Sequence, residues 1–351
     1  MPATDDASTT CANTRTGMAA DAPAPDAQVR VSVVLPACGR MDLLDRCLDA
    51  LMRQHLDPGS YEVIVVDDEP NHNTLHLVAG WRTRTLERGP RLAYVANPGP
   101  RGPATARNRG WRAARAGIVA FTTDDAVPGP DWLAAGLAAF DAGVEVVCGR
   151  VETPVPARPT DRQRSAHAHE RAGFTSASCF MRKAVLERLD GFDERFSVQR
   201  GSDADVYFRL LEQGVRTASA PQALAVHPVR PAPWGASLLQ ARHAAFDALL
   251  YKKHPALYRE RIEARPCWDH YAIVAALLLA LYCGTFGPRW LALAAILAWL
   301  GLSVRLCARR LRGAAHSLSH VAEMALTSIL LPPLSVFWRL AGALRYRVRF
   351  A

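Results

Sequence analysis

The chain has eight cysteines among 351 residues, but it contains no CxxC pair and no group of cysteines with metal-ligand spacing. This scatter excludes a disulfide framework and favours a reducing compartment. Glycine and proline follow no period, and charged residues make up only 21% of the chain, which excludes collagen, coiled coils and low-complexity classes. The glycine-rich turn of dinucleotide-binding oxidoreductases is missing, so that class is excluded too.

Acidic residues are in the minority: Lys and Arg outnumber Asp and Glu by 42 to 33, for a formal charge of +9. A basic balance of this size fits nucleic acid, anionic lipid or a phosphate-bearing ligand. No motif of interleaved aromatic and basic residues occurs, and much of the positive charge flanks an apolar C-terminal segment. We therefore expect no nucleic-acid partner, because an anionic inner leaflet accounts for this charge.

Residues 1–28 are small and polar and contain no apolar stretch, so they are expected to form a disordered tail and not a signal peptide. From residue 29, short apolar runs alternate with helical patterns, as in the helix expected over 41–54. Strands are predicted at 31–35, 61–66, 92–96 and 118–122. The pattern predicts an α/β domain over 29–230 with a mostly parallel sheet.

The C-terminal part contains three long apolar stretches, at 271–282, 290–304 and 321–338. With their flanks the first two approach the length of spanning helices and predict a membrane hairpin over about 268–306, although buried core helices are the alternative. The third contains Pro332 and Pro333, which favours a re-entrant or interfacial helix at about 320–340.

Basic residues cluster before and after the predicted hairpin, whereas its turn holds one Arg. The positive-inside rule then places the N-terminal domain on the cytoplasmic face of the inner membrane, with membrane lipids as partners. Residues 231–266 are expected to be a helical basic linker, and 267–351 a membrane region separate from the N-terminal core.

Acidic pairs follow two of the predicted strands, and a small-residue turn follows a third, at the edge where parallel strands end. Strand one leads into the small-residue turn at Pro36 and Ala37, strand two into Asp67 and Asp68, and strand four into Asp124 and Asp125. Crowded carboxylates are usually held ionised by a divalent cation or a hydrogen-bonding ligand. The alternative is that these residues cap the following helices.

Arg107 lies near the start of a predicted helix, an end that prefers anions. An anionic ligand such as a diphosphate explains an arginine there. The alternative, a solvated basic face, is accepted for Arg112 and Arg115.

Several segments, taken in order, carry a family resemblance: VSVVLPACGR, YEVIVVDDEP, ARNRGWRAARAGIVAFTTDDAVPGPDWL, GFDERFSVQRGSDADVYFRLLEQG and LAVHP. Together they resemble the family 2 glycosyltransferases of the GT-A fold. The resemblance implies a cytoplasmic enzyme that moves a sugar from a nucleotide-diphosphate sugar to an acceptor hydroxyl with inversion, using Mg²⁺ or Mn²⁺. The predicted membrane region makes a lipid-linked or cell-envelope glycan a plausible acceptor.

The resemblance also assigns roles to individual residues. It places Asp125 at the metal ligand, His227 at a position that helps to hold metal or diphosphate, and Asp203 at the catalytic base. The positions that it places at the donor are Pro36, Ala37, Asp67, Asp68, Arg107 and Asp124.

Two positions depart from the family pattern, because Thr123 and Ser202 stand where acids are usual. These departures motivate an alternative, a membrane-tethered subunit that binds a nucleotide sugar or assists assembly without turnover. Without the resemblance, Asp203 reads as the N-cap of a helix and His227 as a structural histidine.

Overall fold

A computed structural model describes residues 29–154, 159–160, 163, 174–228, 233–263, 265–314 and 316–350. The predicted tail at 1–28 and the predicted boundary at 230 lie outside the described residues.

Eight strands in the described part of the chain form one sheet in the order β3-β2-β1-β4-β7-β6-β8-β5. Strands β1 to β4 are mutually parallel, β7 runs antiparallel to β4 and β6, and β8 is parallel to β6. The strands are β1 (Val31–Ala37), β2 (Tyr61–Asp67), β3 (Arg91–Ala96), β4 (Ile118–Phe121), β5 (Val127–Pro128), β6 (Val146–Glu152), β7 (Cys179–Arg182) and β8 (Thr217–Val226). The four predicted strands and the mostly parallel sheet are confirmed.

Helices cover both faces of this sheet, which explains the continuous apolar runs in its strands. Val33 of β1 packs into a core on one face, and Val34 packs into a second core on the other. Helix α3 lies so close to the sheet that a Cβ on Gly110 would come within 2.3 Å of Val34. The helices are α1 (Met41–Met52), α2 (His72–Thr85), α3 (Pro103–Ala113), α4 (Trp132–Ala138), α5 (Lys183–Leu189) and α6 (Gln199–Glu212).

The rest of the described chain is helical. Short helices α7 (Ala236–Gln240), α8 (Ala244–Lys253) and α9 (Pro255–Arg261) precede three long ones, α10 (Trp268–Phe286), α11 (Arg289–Leu311) and α12 (Leu318–Tyr346). These three contain 19, 23 and 29 residues and are long and apolar enough to cross a membrane. Helix α12 continues unbroken through Pro332 and Pro333.

The C-terminus packs back onto the N-terminal domain. Phe350 is buried in one apolar cluster with Phe196 and Phe208 of that domain and with Tyr258 of α9. Residues of the predicted linker and of the C-terminal region therefore complete an apolar core together with residues of the N-terminal domain.

Candidate functional site

The predicted acidic residues meet at one edge of the sheet. Strand β1 pairs in parallel with β2 on one side and with β4 on the other, and Ala37 lies opposite Asp67 in register. The turn after β1 therefore faces the acidic residues that follow β4. The backbone N–H of Cys38 donates to Asp124 over 3.2 Å, which ties these two turns together.

Asp67 is fully buried and shapes the turn after β2. Its carboxylate accepts the N–H groups of Glu69 and Asn71 at 3.2 and 3.3 Å and the hydroxyl of Tyr94 at 3.0 Å. Burial, followed by this hydrogen bond to Asp67, raises the pKa of Tyr94 to about 12. Both carboxylate oxygens are thus engaged inside the protein.

Asp68 connects the same turn to the loop that leads into α3. Its carboxylate accepts the side-chain amide of Asn97 at 2.7 Å and the backbone N–H of Gly102 at 2.9 Å. Gly102 adopts a φ of 151°, which only glycine adopts readily. Asp68 therefore fixes the entry to α3.

Arg40 bridges the two carboxylates after β4. Its Nε donates to Asp124 at 3.0 Å, its Nη2 also contacts Asp124, and its Nη1 donates to Asp125 at 3.1 Å. Burial raises the pKa of Asp124 although Arg40 opposes this shift, and the two carboxylates in turn raise the pKa of Arg40 against its own burial. Arg40 was not among the predicted site residues, although its position at the end of a turn that faces two acids is visible in the sequence.

His227 lies beside Asp125, with 3.1 Å between its Nε2 and the Asp125 Oδ1. The short strand β5 causes this proximity, because Val127 pairs with Val226 next to the histidine. The backbone N–H of His227 also donates to Glu152 at 2.8 Å, which fixes the end of β8. The structure thus brings together the two side chains predicted to hold a metal.

A carboxylate and an imidazole suit Mn²⁺ and are compatible with Mg²⁺. Among the residues that the structure describes, no group of three or more His, Cys, Asp or Glu side chains forms a metal cage. The pair fits a cation whose remaining ligands are phosphate oxygens and water, the usual arrangement for Mg²⁺ at a phosphate substrate.

Asp203 lies in the second turn of α6 and not at its N-cap, because the helix begins at Gln199. The N-cap alternative is therefore wrong. Its carboxylate accepts the Ser176 hydroxyl at 2.6 Å and the Ser176 N–H at 3.0 Å. Burial raises the pKa of Asp203, although Arg107 and Ser176 act in the opposite direction. Ser176 had no signal in the sequence, since only the fold brings it to α6.

Arg107 is completely buried, and its guanidinium reaches back over the first turn of α3. Its Nη1 donates to the Pro103 carbonyl at 3.1 Å, while its Nε and Nη2 have no hydrogen-bond acceptor among the described residues. Burial lowers the Arg107 pKa, and Asp203 is the strongest opposing influence. Arg107 is therefore a buried counter-charge of the acidic site.

Thr123 and Ser202, the two positions that depart from the family pattern, are both buried. Their hydroxyls find no hydrogen-bond partner in the described part of the chain. Since buried polar groups are nearly always satisfied, these hydroxyls and Arg107 leave hydrogen-bonding capacity for water or a ligand.

A second cluster of charged groups joins α6 to the linker. Asp205 is fully buried and contacts Lys253 Nζ, Arg209 at 2.9 Å and His254 at 3.2 Å. His254 also contacts Glu212 at 2.8 Å. Burial alone lowers the His254 pKa, but its contacts with Asp205 and Glu212 outweigh burial and raise it. This cluster anchors the helix that carries Asp203.

The mostly parallel sheet with helices on both faces has the GT-A fold. Residues 32–197 match Glycosyl transferase family 2, so the chain contains a family 2 glycosyltransferase domain.

Individual relatives agree with this assignment. The chain is 26% identical over 211 residues to the glycosyltransferase AglE of Haloferax volcanii, covering 57% of this chain and 67% of the relative. It is 30% identical over 155 residues to a pre-mycofactocin glycosyltransferase of Mycobacterium tuberculosis, covering 40% of this chain and 33% of that protein. The match therefore spans about two thirds of the first relative and one third of the second.

A solved structure shares the fold. The mannosyltransferase PcManGT from Pyrobaculum calidifontis, determined in complex with GDP-Man and Mn²⁺, aligns with a TM-score of 0.53 and 21% identity. The alignment covers 92% of this chain and 88% of the mannosyltransferase. It therefore extends beyond the family 2 domain into the helical C-terminal part.

Proposed function

We propose that this enzyme transfers a sugar from a nucleotide-diphosphate sugar to an acceptor hydroxyl, with inversion at the anomeric carbon. One observation supports the proposal above the others: Asp125 and His227, 102 positions apart in the sequence, lie 3.1 Å from each other at the carboxyl edge of the sheet. This is the edge at which open α/β sheets bind their ligands.

The proposed donor site lies along this edge. Pro36 and Ala37 leave room for the donor, and Asp67 and Asp68 shape the wall formed by the turn after β2 and the loop before α3. Asp124 supports the turn after β1. Arg107 supplies positive charge from behind, where it balances the carboxylates without reaching solvent.

Asp125 and His227 are the proposed ligands of a divalent cation, Mg²⁺ or Mn²⁺. The cation, when bound, offsets the negative charge that the departing nucleoside diphosphate acquires. The role of the protein is to present one carboxylate oxygen and one imidazole nitrogen at a fixed separation. Strand β5 does this by pairing with the end of β8.

Asp203 is the proposed general base. Its raised pKa makes it a stronger base than an exposed carboxylate, which suits removal of a proton from a sugar hydroxyl. The two hydrogen bonds from Ser176 hold the carboxylate in one orientation. If the acceptor attacks opposite the leaving group, the configuration inverts in one step and no enzyme nucleophile is needed.

The acceptor is proposed to be a lipid-linked or cell-envelope glycan. Three long apolar helices indicate membrane association. Placing the enzyme in the inner membrane, with its catalytic domain in the cytoplasm, is a proposal that rests on the arginines around the helix ends.

The test uses the full chain in detergent or nanodiscs. Calorimetry with GDP-mannose and UDP-sugars, each with and without Mn²⁺, is expected to find one donor whose binding depends on the metal. Transfer to extracted lipid-linked glycans, followed by NMR of the product, is expected to show inversion. Metal-dependent binding without hydrolysis or transfer would favour the non-catalytic subunit, and retained configuration would contradict the proposed mechanism.

A further inference from the structure

Helix α12 has an apolar stripe that faces away from the protein. Five large apolar side chains on α12 are between 41% and 79% exposed. At 100° per residue they project within about 40° of one direction along the helix. They are Leu326, Leu330, Phe337, Leu340 and Leu344.

The opposite face of α12 is polar and buried. Thr327 accepts Arg310 of α11 at 2.8 Å, and Arg339 donates to Glu263 of the linker at 2.5 Å. Gly342 lies against the linker helix α8, where a Cβ would meet the Ala245 carbonyl at 2.6 Å. The polar face is thus occupied by protein, and the outward apolar stripe is too long to be left in water.

Both ends of α12 are held by the segment that follows the catalytic domain. Near the first end, the N–H of Gly235, eight residues beyond His227, donates to Glu323 at 2.9 Å. At the other end, Lys252 donates to the Tyr346 carbonyl at 2.7 Å. Phe350 then enters the apolar core shared with the catalytic domain.

These contacts determine how many times the chain crosses a membrane. A helix of 29 residues is about 43 Å long, so a spanning α12 would leave its ends on opposite sides of a hydrocarbon core of about 30 Å. The segment that holds both ends contains Lys252 and Lys253 and is continuous with the catalytic domain, and all of these require water. Helices α10 and α11 form an antiparallel pair, so the start of α10 and the end of α11 lie on the same side. Asp269 contacts Arg309 at 2.7 Å at this shared end.

We propose that α12 lies in the plane of the membrane surface on the catalytic side, with its Leu and Phe stripe inserted among the lipids of the bilayer that α10 and α11 cross. Continuity with this hairpin through Arg310 identifies the occupant as lipid. The exposed Arg345, Arg347 and Arg349 then face anionic head groups, which attract them. This inference does not depend on the proposed function.

Sidedness provides the first test. A protease-cleavable epitope is placed before Met1, between Gly287 and Pro288, or after Ala351 in the full chain. In sealed vesicles, the N-terminal and C-terminal epitopes are expected to be on the same side, so both are cleaved or both are protected. The epitope in the α10–α11 turn is expected to be on the other side and to show the opposite result. If the C-terminal epitope instead behaves like the turn, α12 spans the membrane and the proposal is wrong.

Depth provides the second test. A fluorescent non-natural residue replaces Leu330, Phe337 or Leu344 in turn, in nanodiscs whose lipids carry a quencher near the head group or near the acyl end. The fluorescence at all three positions is expected to be quenched to the same degree, and more strongly by the quencher near the head group than by the quencher near the acyl end. Leu297, 61% exposed in α11, is the control for deep quenching. A depth that changes along the series, or no quenching by lipid because a second copy covers the stripe, would overturn the proposal.

Discussion

Each carboxylate of the site has its own partners, and these partners decide what a substitution will change. Asp67 uses both oxygens to hold a turn, so its loss acts on folding. Asp203 accepts two hydrogen bonds from Ser176 and interacts electrostatically with the buried charge of Arg107. Its loss is therefore expected to act on chemistry more than on stability.

Replacing Asp203 by Asn is expected to reduce sugar transfer by about 10²–10⁴-fold, because the amide keeps the shape but cannot accept a proton. Donor affinity, measured by calorimetry, is expected to change by no more than a few-fold. The control is Asp190→Asn at an almost fully exposed side chain, whose left-handed backbone suits asparagine. Transfer that persists at near-native rates in the Asp203 variant would place the base elsewhere.

Arg40 contacts the Asp125 carboxylate that is proposed to hold a cation, so the two positive charges would compete for it. Replacing Arg40 by Gln removes a positive charge from beside Asp125, so Mn²⁺ affinity without donor is expected to rise about tenfold, or about 1.4 kcal/mol. Electron paramagnetic resonance of free Mn²⁺ measures this affinity directly. Arg53→Gln, at an exposed pair with Asp49, is the matched control. Weaker Mn²⁺ binding in the Arg40 variant would show that this arginine supports the site.

At the scale of elements, the first half of the sheet was predictable because its strands are buried on both faces. Strands β1, β2 and β4 show buried apolar runs that are interrupted internally only by Ser32 and Glu62. The edge that gathers Asp67, Asp68, Asp124 and Asp125 follows from their parallel order. The place of His227 beside Asp125 came from the family resemblance alone.

The second half of the sheet was harder to predict, because its sequence pattern is less typical of buried strands. Strand β8 contains exposed positions along most of its length, and its pairing with β6 shifts register between Gly149 and Arg150. Helix α6 begins without a capping side chain, so Asp203 could be mistaken for its cap. The contacts of Arg40 and Ser176 depend on turns whose geometry exists only in the assembled fold.

Helix α6 owes its position to the linker, because Lys253 and His254 hold Asp205 two residues from Asp203. Replacing Lys253 by Met is expected to lower kcat about tenfold while the donor KM stays near native, since the Asp125 and His227 pair is not on α6. The loss of one partner of a buried charge also costs about 1–3 kcal/mol of stability. Steady-state kinetics and thermal unfolding measure both effects.

Two further variants test whether the charge of Lys253, and not the loss of any lysine at this junction, causes the effect on kcat. Lys253→Arg keeps the charge and is expected to restore most of kcat. Lys252→Met removes the neighbouring lysine, which donates to the Tyr346 carbonyl and not to α6, and is expected to leave kcat unchanged. A loss in the Lys252 variant as large as that in Lys253→Met would contradict a specific role for Asp205.

At the scale of the whole molecule, the catalytic domain depends on the last residues of the described chain. Replacing Phe350 by Ala empties part of the core shared by Phe196, Phe208 and Tyr258, and is expected to cost about 3–5 kcal/mol of stability. Thermal unfolding in detergent measures the loss. Phe286→Ala, at a side chain that is 83% exposed, is the control and is expected to have no effect.

For the same reason, a fragment that ends near residue 266 is expected to expose this core and to aggregate, in contrast to the soluble fragment that a separate anchor would predict. Light scattering of the fragment beside the full chain in the same detergent measures the difference. A monodisperse fragment with native thermal stability would show that the junction contributes little.

The two-residue strand β5 also has a consequence for biosynthesis. Because Val127 reaches its partner only when Val226 has been made, the pair of Asp125 and His227 cannot close while the chain is shorter than about 230 residues. Strands β1 to β4 use pairings among the first 121 residues and can form earlier on the ribosome. The nascent chain can therefore form the first four strands of its sheet before the proposed metal ligands Asp125 and His227 meet.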